Sequence, residues 1–163
     1  MGEHICVQLG LGRFDGEAPF CILKNSACSS FKAPACTAGL DPALFAVEDT
    51  AVLPIRMLDT VVPSVSRNDE RFYLKIDTQG YEREVLMGAS ETLRRTDAVE
   101  VELSLTTLYN DQALLPEIWG MLADSGFRPA WVERGYRDAK DIWLLQMDGL
   151  FVRESAWPAS SKF

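Results

Sequence analysis

Residues 71–105 change hydrophobic period twice, and that change limits the fold more than any other feature of the chain. Arg71-Phe-Tyr-Leu-Lys-Ile-Asp places Phe72, Leu74 and Ile76 on one face and Tyr73, Lys75 and Asp77 on the other, then breaks at Gly80. Between Tyr81 and Arg95, apolar Val85, Leu86, Ala89 and Leu93 recur near helical spacing. Glu82 and Glu84 fall in the first turn of that segment and Arg94 and Arg95 in the last, where the helix dipole favours each sign. Ala98-Val-Glu-Val-Glu-Leu-Ser-Leu then alternates strictly again. Strand, helix, strand in this order predicts two parallel strands joined by a helical crossover.

The flanking segments extend the pattern. Ile5 to Leu11 and Glu17 to Leu23 read as strands separated by the Asp15-Gly16 turn, the second at a sheet edge because Pro19 cannot donate to a ladder. Lys24 to Glu48 is a long, aperiodic stretch rich in Ser, Ala, Pro and Thr, the first place to look for a lid. Thr50 to Leu58 resumes a strand pattern, and Asp59 to Val62 reads as one helical turn stopped by Pro63. Leu115, Ile118, Trp119 and Leu122 mark a helix over Leu114 to Ser125, closed by Gly126. Phe127 to Glu133 and Ile142 to Val152 read as an antiparallel pair. The expected fold class is therefore α/β, a three-layer sheet with an antiparallel C-terminal strand pair, in one domain over 1–163. Ligands of such sheets sit outside the C-terminal ends of the strands, which puts Asp77, Thr78, Gln79 and the segment after Leu105 on the functional rim.

Charge and residue usage remove several function classes. Lys and Arg number 16 against 24 Asp and Glu, a formal charge of −8, which is the wrong sign for gripping nucleic-acid phosphates. A single histidine, His4, rules out multi-histidine zinc sites and takes most of the weight from triad chemistry. Cys6, Cys21, Cys28 and Cys36 form no CxxC pair and read as reduced thiols. The apolar runs are far shorter than the roughly twenty residues of a membrane span. Met1 to Cys6 does not read as a signal peptide. A cytoplasmic protein with no membrane or nucleic-acid partner is expected.

Phe72-Tyr-Leu-Lys-Ile-Asp-Thr-Gln-Gly-Tyr-Glu-Arg-Glu-Val-Leu-Met-Gly-Ala resembles the central signature of FkbM-type methyltransferases. Gly10-Leu-Gly, Asp15-Gly-Glu-Ala with Phe20, Asn25-Ser-Ala-Cys-Ser-Ser, Leu58-Asp59, Val101-Glu-Leu-Ser-Leu, Tyr109 and Gln146-Met-Asp-Gly-Leu-Phe-Val resemble further blocks of that family in the same order. The resemblance implies a Rossmann-like class I sheet that uses S-adenosylmethionine for O-methylation of a hydroxyl on a sugar or natural product. It also implies an opening strand and an Asp-x-Gly-x-x-x-Gly turn for the cofactor, which this sequence lacks. The chain thus resembles the C-terminal two-thirds of such a domain, N-terminally truncated. Activity of this stretch alone is then in question. A sheet edge left bare beside the Asp77 strand would invite pairing with another chain, so the alternative is a non-catalytic interaction domain or a homo-oligomer.

The candidate residues follow from these two lines. Asp77 and Glu102 are the catalytic candidates: a carboxylate at a strand end can position a hydroxyl and take its proton, and two on neighbouring strands can form an acid pair or an oxygen-ligand site. Capping of the following helix by Asp77, and a solvated charged face for Glu102, are the competing structural readings. No metal is assigned. Gly10, Gly12 and Asp77 are the cofactor candidates, although Gly10-Leu-Gly12 runs into Arg13 and a turn where a nucleotide-binding glycine motif would open a helix. Asn25, Ser26, Ser29, Thr78, Gln79 and Tyr109 are candidates for contacting a small-molecule hydroxyl acceptor. Glu82 is explained by helix N-terminal stabilisation. Lys75 reads as a structural ion-pair partner, and Trp119, Trp131 and Trp143 as core.

Overall fold

The computed structural model describes residues 5–35, 43–138 and 142–156. Cys36 and part of the long 24–48 stretch, including much of the expected lid, lie outside them. The described residues form a mixed α/β structure with two sheets. The first sheet holds β1 (Gly10–Leu11), β2 (Gly16–Leu23) and β3 (Val47–Arg56) in the order β1-β3-β2. Pro19 sits in β2, and β2 is an edge strand, as the missing amide of proline requires. The expected strand over Ile5 to Leu11 shrinks to two residues, because only Gly10 and Leu11 pair in parallel with Ile55 and Arg56.

Helix α1 (Leu58–Val65) follows, then β4 (Phe72–Ile76), α2 (Glu82–Met87), α3 (Ser90–Arg94), β5 (Thr96–Ser104), α4 (Leu115–Asp124), β6 (Phe127–Arg134) and β7 (Gln146–Arg153). The second sheet has the order β4-β5-β7-β6, with β4 parallel to β5 and the remaining pairs antiparallel. The crossover and the antiparallel C-terminal pair are both present. Two helical expectations are corrected. Helix α1 runs past Pro63, whose ring is exposed, rather than stopping before it. The single helix expected over Tyr81 to Arg95 is two, because Asp59 of α1 accepts hydrogen bonds from the backbone N–H groups of Glu91 and Thr92 (2.9 and 2.7 Å) and starts α3 afresh.

One apolar core joins the helices to one face of the second sheet, with Val85, Leu86, Leu93, Ile118 and Leu122 packed on Val99, Val101, Leu103 and Phe151. Trp119 stands edge-on to Phe151, 5.1 Å between centroids, and belongs to this core. Trp131 and Trp143, read as core from the sequence, are 49% and 70% exposed, because β6 is an edge strand open on nearly its whole length and Trp143 lies in the connection beyond it. The opposite face of the sheet carries Tyr73, Lys75, Glu100 and Leu150, none of them buried. Helices therefore cover one face; a third layer is not among the described residues. No helix among them is long and apolar enough to cross a membrane.

The end of β1 meets the end of α2 at a backbone contact. A Cβ built on Gly88, just after α2, would lie 2.0 Å from the carbonyl oxygen of Gly12. Gly12 in turn packs on Ile55 and Tyr81.

Candidate functional site

The rim above β4 and β5 is built around a left-handed turn. Gln79 and Gly80 have φ of +54° and +89°. A Cβ at Gly80 would come within 2.8 Å of the Tyr109 ring, so both the conformation and the close approach call for glycine. Glutamine is not a residue that favours this region, and such strain persists where surrounding contacts determine it. Here those contacts are visible. The Gln79 amide donates to Asp77 Oδ1 (2.8 Å) and to Glu102 Oε2 (3.2 Å), and its oxygen lies 3.2 Å from the Tyr109 hydroxyl. Glu82, 2% exposed, accepts from the Thr78 and Gly80 backbone N–H groups and from the Thr78 hydroxyl, each at 3.1 Å. It closes the turn as the first residue of α2.

Glu102 follows from strand alternation, which carries Glu100 and Glu102 to the same side of β5. Their surroundings differ. Glu100 is paired with Lys75 at 2.6 Å and bonded by the Tyr73 hydroxyl, and both contacts hold its carboxyl below the usual range. No cation among the described residues pairs with Glu102. Burial, then the charges of Asp77, Glu82 and Asp148, push it up to about 8, against the pull of a 2.5 Å hydrogen bond from Gln146. Asp148, opposite Glu102 on β7, is also raised, first by burial and further by Asp77, Glu100 and Glu133, while Lys75 pulls it down. Glu102 thus holds its proton to higher pH than an ordinary carboxyl, beside the exposed side chain of Asp77. No group of side chains among the described residues is arranged to hold a metal ion.

Asp77 also opens onto a cleft of about 470 Å³ between the two sheets. Its apolar walls are Leu9, Leu11, Phe20, Phe31 and Tyr81; Ser29, Thr78 and Gln79 join Asp77 on the polar side. The rings form a continuous set, with Phe20 edge-on to Phe31 (4.9 Å) and Phe31 tilted on Tyr81 (5.4 Å). A larger groove of about 620 Å³ between α2, α3 and α4 is lined by Met87, Arg94, Met121 and Arg153, and no sequence-predicted site residue reaches it. Chemistry, not size, selects the smaller cleft.

The sequence-predicted residues divide accordingly. Gly10, Ser29, Asp77, Thr78 and Gln79 share the cleft, and Glu102 joins them through Gln79. Tyr109 is fully buried; its hydroxyl donates to the Cys28 carbonyl (2.8 Å) and ties the 25–31 loop to the rim. Asn25 caps a short 3-10 turn, accepting from the Ala27 N–H, and Ser26 lies within that turn. Lys75 pairs with Glu100 rather than with Asp77. The aromatic wall of Phe20 and Phe31 and the acid pair partner Asp148 received no role from the sequence. Gly10 was the available signal for Phe31, since a Cβ there would come within 2.3 Å of that ring.

The model of the methyltransferase FkbM domain matches residues 2–129, most of the chain, including Asp77, Gln79, Glu82 and Glu102 of the rim but not Gln146 and Asp148. The chain belongs to that family. No curated protein matches it, and no solved structure does. FkbM methyltransferases generally use S-adenosylmethionine. Of the two glycines expected to cradle that cofactor, Gly10 lines the cleft beside Asp77 and Gly12 is packed inside the protein. Gly12 is sealed against Gly88, Ile55 and Tyr81, and Gly10 lies against Phe31. The chain leaves Gly12 for a turn and β2 instead of opening a helix whose N–H groups could face a ligand.

Proposed function

We propose that this FkbM domain serves methyl transfer to a hydroxyl, with Asp77 at the acceptor. The observation that carries the reading is the Asp77–Gln79–Glu102 arrangement at the C-terminal ends of two parallel strands, the place where Rossmann-like sheets bind ligands. Gln79 fixes one oxygen of Asp77, and the other accepts no hydrogen bond among the described residues. That oxygen can orient an incoming hydroxyl and receive its proton. Glu102 is pushed up to about 8 by burial and its acidic neighbours, and Asp77 is the carboxyl that lines the cleft and can act as base there. The family's donor supplies an electrophilic methyl group. Because Gly12 is packed inside the protein, the reading depends on the donor being held by Gly10 and other residues, and calorimetric titration with S-adenosylhomocysteine tests this. Saturable heat is expected; none above dilution at high protein concentration sinks the enzymatic reading. Methyl incorporation into a hydroxylated acceptor should then fall by roughly 100-fold or more in Asp77→Asn.

A second reading rests on β4, which pairs with β5 on one side only and exposes Tyr73 to 59%. An open strand edge is a template for strand addition, giving a homo-oligomer or a non-catalytic interaction domain. Light scattering that returns a monomer at every concentration counts against self-association.

A further inference from the structure

We infer that the cleft beside Asp77 takes a flat apolar ring bearing a single hydroxyl, a phenol-like acceptor, in preference to a polyhydroxyl sugar or an anionic compound. The inference rests on the proposed methyl-transfer reading for the role of Asp77, and on the cleft itself for the ligand. Phe20, Phe31 and Tyr81 supply adjoining ring surfaces backed by Leu11, the kind of wall on which another ring stacks or stands edge-on. The polar side is nearly spent on the protein. Both N–H donors of Gln79 go to Asp77 and Glu102. The Thr78 hydroxyl donates to Glu82, and the Ser29 hydroxyl oxygen accepts from the Leu23 N–H at 3.0 Å. What remains is chiefly the second oxygen of Asp77 as acceptor and the Ser29 O–H as donor, a pair that matches the two sides of one hydroxyl. A sugar would set several hydroxyls against apolar walls without partners, and each such group loses its hydration for nothing.

Charge points the same way. None of the described residues lining the cleft is a lysine or arginine, and the nearest buried cation, Lys32, is engaged by Glu84 at 3.2 Å. A phosphate or carboxylate on the ligand would meet Asp77, and the cation near that residue, Lys75, is exposed and already paired with Glu100 at 2.6 Å. A neutral phenol meets no such penalty.

The probe is 4-fluorophenol, followed by fluorine NMR with the full chain. Its resonance should broaden saturably at millimolar concentration, and 4-fluoroanisole, which lacks the hydroxyl proton, should bind roughly tenfold more weakly. Phe20→Ala should weaken 4-fluorophenol by roughly 2- to 10-fold, the worth of one aromatic contact. Asp77→Asn, at an exposed side chain, is the variant that keeps the test sound if the Phe20 change unfolds the protein; it should also weaken binding and should erase the exclusion of 4-fluorobenzoate. Methyl α-glucoside should not displace the probe. Absence of broadening, equal binding of the anisole, displacement by the glucoside, or indifference to both substitutions overturns the inference. S-adenosylhomocysteine separates the two readings. If it competes with the probe, the cleft belongs to the nucleoside and the phenol assignment falls while methyl transfer survives. If it shows no binding while the probe passes every other arm, the ring site stands and the methyl-transfer reading falls.

Discussion

Two clusters of ionisable side chains meet at the N-terminal end of α2, one through Glu82 and the other through Arg83 and Glu84, and they are handled in opposite ways. Lys32, 8% exposed, sits 3.2 Å from Glu84, itself 5% exposed; Arg83 reaches Glu84 at 3.1 Å, Asp111 at 2.7 Å and Glu117 at 3.2 Å. Every cation there has an acid beside it. The rim cluster of Asp77, Glu82, Glu102 and Asp148 has four acids and only the exposed Lys75 nearby, and amides rather than cations stand between the acids. The first cluster fastens the 28–35 loop and the 105–112 segment to α2. The second is kept under electrostatic tension, which a purely structural site would relieve by pairing.

The sharpest way to break this contrast is at Lys32. Lys32→Met leaves the buried Glu84 with Arg83 alone and should cost about 3 kcal/mol, read as a lowered urea midpoint. The rim should respond to pH instead. Glu102 has a folded pKa of about 8 against an ordinary 4.5, so between those values the unfolded state has lost a proton that the native state keeps. Stability should therefore fall as pH rises through that window, by on the order of 2 kcal/mol for this half-buried group, and Glu102→Gln should flatten the slope. Gln79→Gly comes next: it removes about 1 kcal/mol of left-handed strain but also the N–H donors to both carboxylates. Stability should scarcely move, while the Glu102 carboxyl, followed by carbon NMR, should titrate higher still, since a donor that favoured its ionised form is gone. The smallest effect belongs to Lys75→Ala. That exposed pair with Glu100 should leave the urea midpoint unchanged within error, and a clear loss would place Lys75 in the rim cluster instead.

What could be read from the chain was whatever repeats with a fixed period. The alternation of β4 and β5 set both strands and put Asp77 and Glu102 toward one face, and the spacing of Leu115, Ile118 and Leu122 set α4. The split between α2 and α3 was hidden because its cause, the Asp59 carboxylate, arrives from another helix. Trp131 misled for a related reason: apolar alternation marks a strand but not its place in the sheet, and an edge strand leaves such residues in solvent. At the site, the acids were legible as residue types at a strand end. The Gln79 bridge to Glu102 and the meeting of Phe31 with Tyr81 were not, since each depends on segments more than twenty residues apart meeting in space.

The touching backbones of Gly12 and Gly88 set one more property of the molecule. One wall of the cleft hangs from β1 and β2 and the other from the turn before α2, so the gap between them is gauged by how closely two main chains approach. A single methyl group at position 88 would act as a shim. Ligand size could then be retuned from a residue that never touches the ligand, and a search for altered acceptor preference should begin at that glycine as well as among the rings.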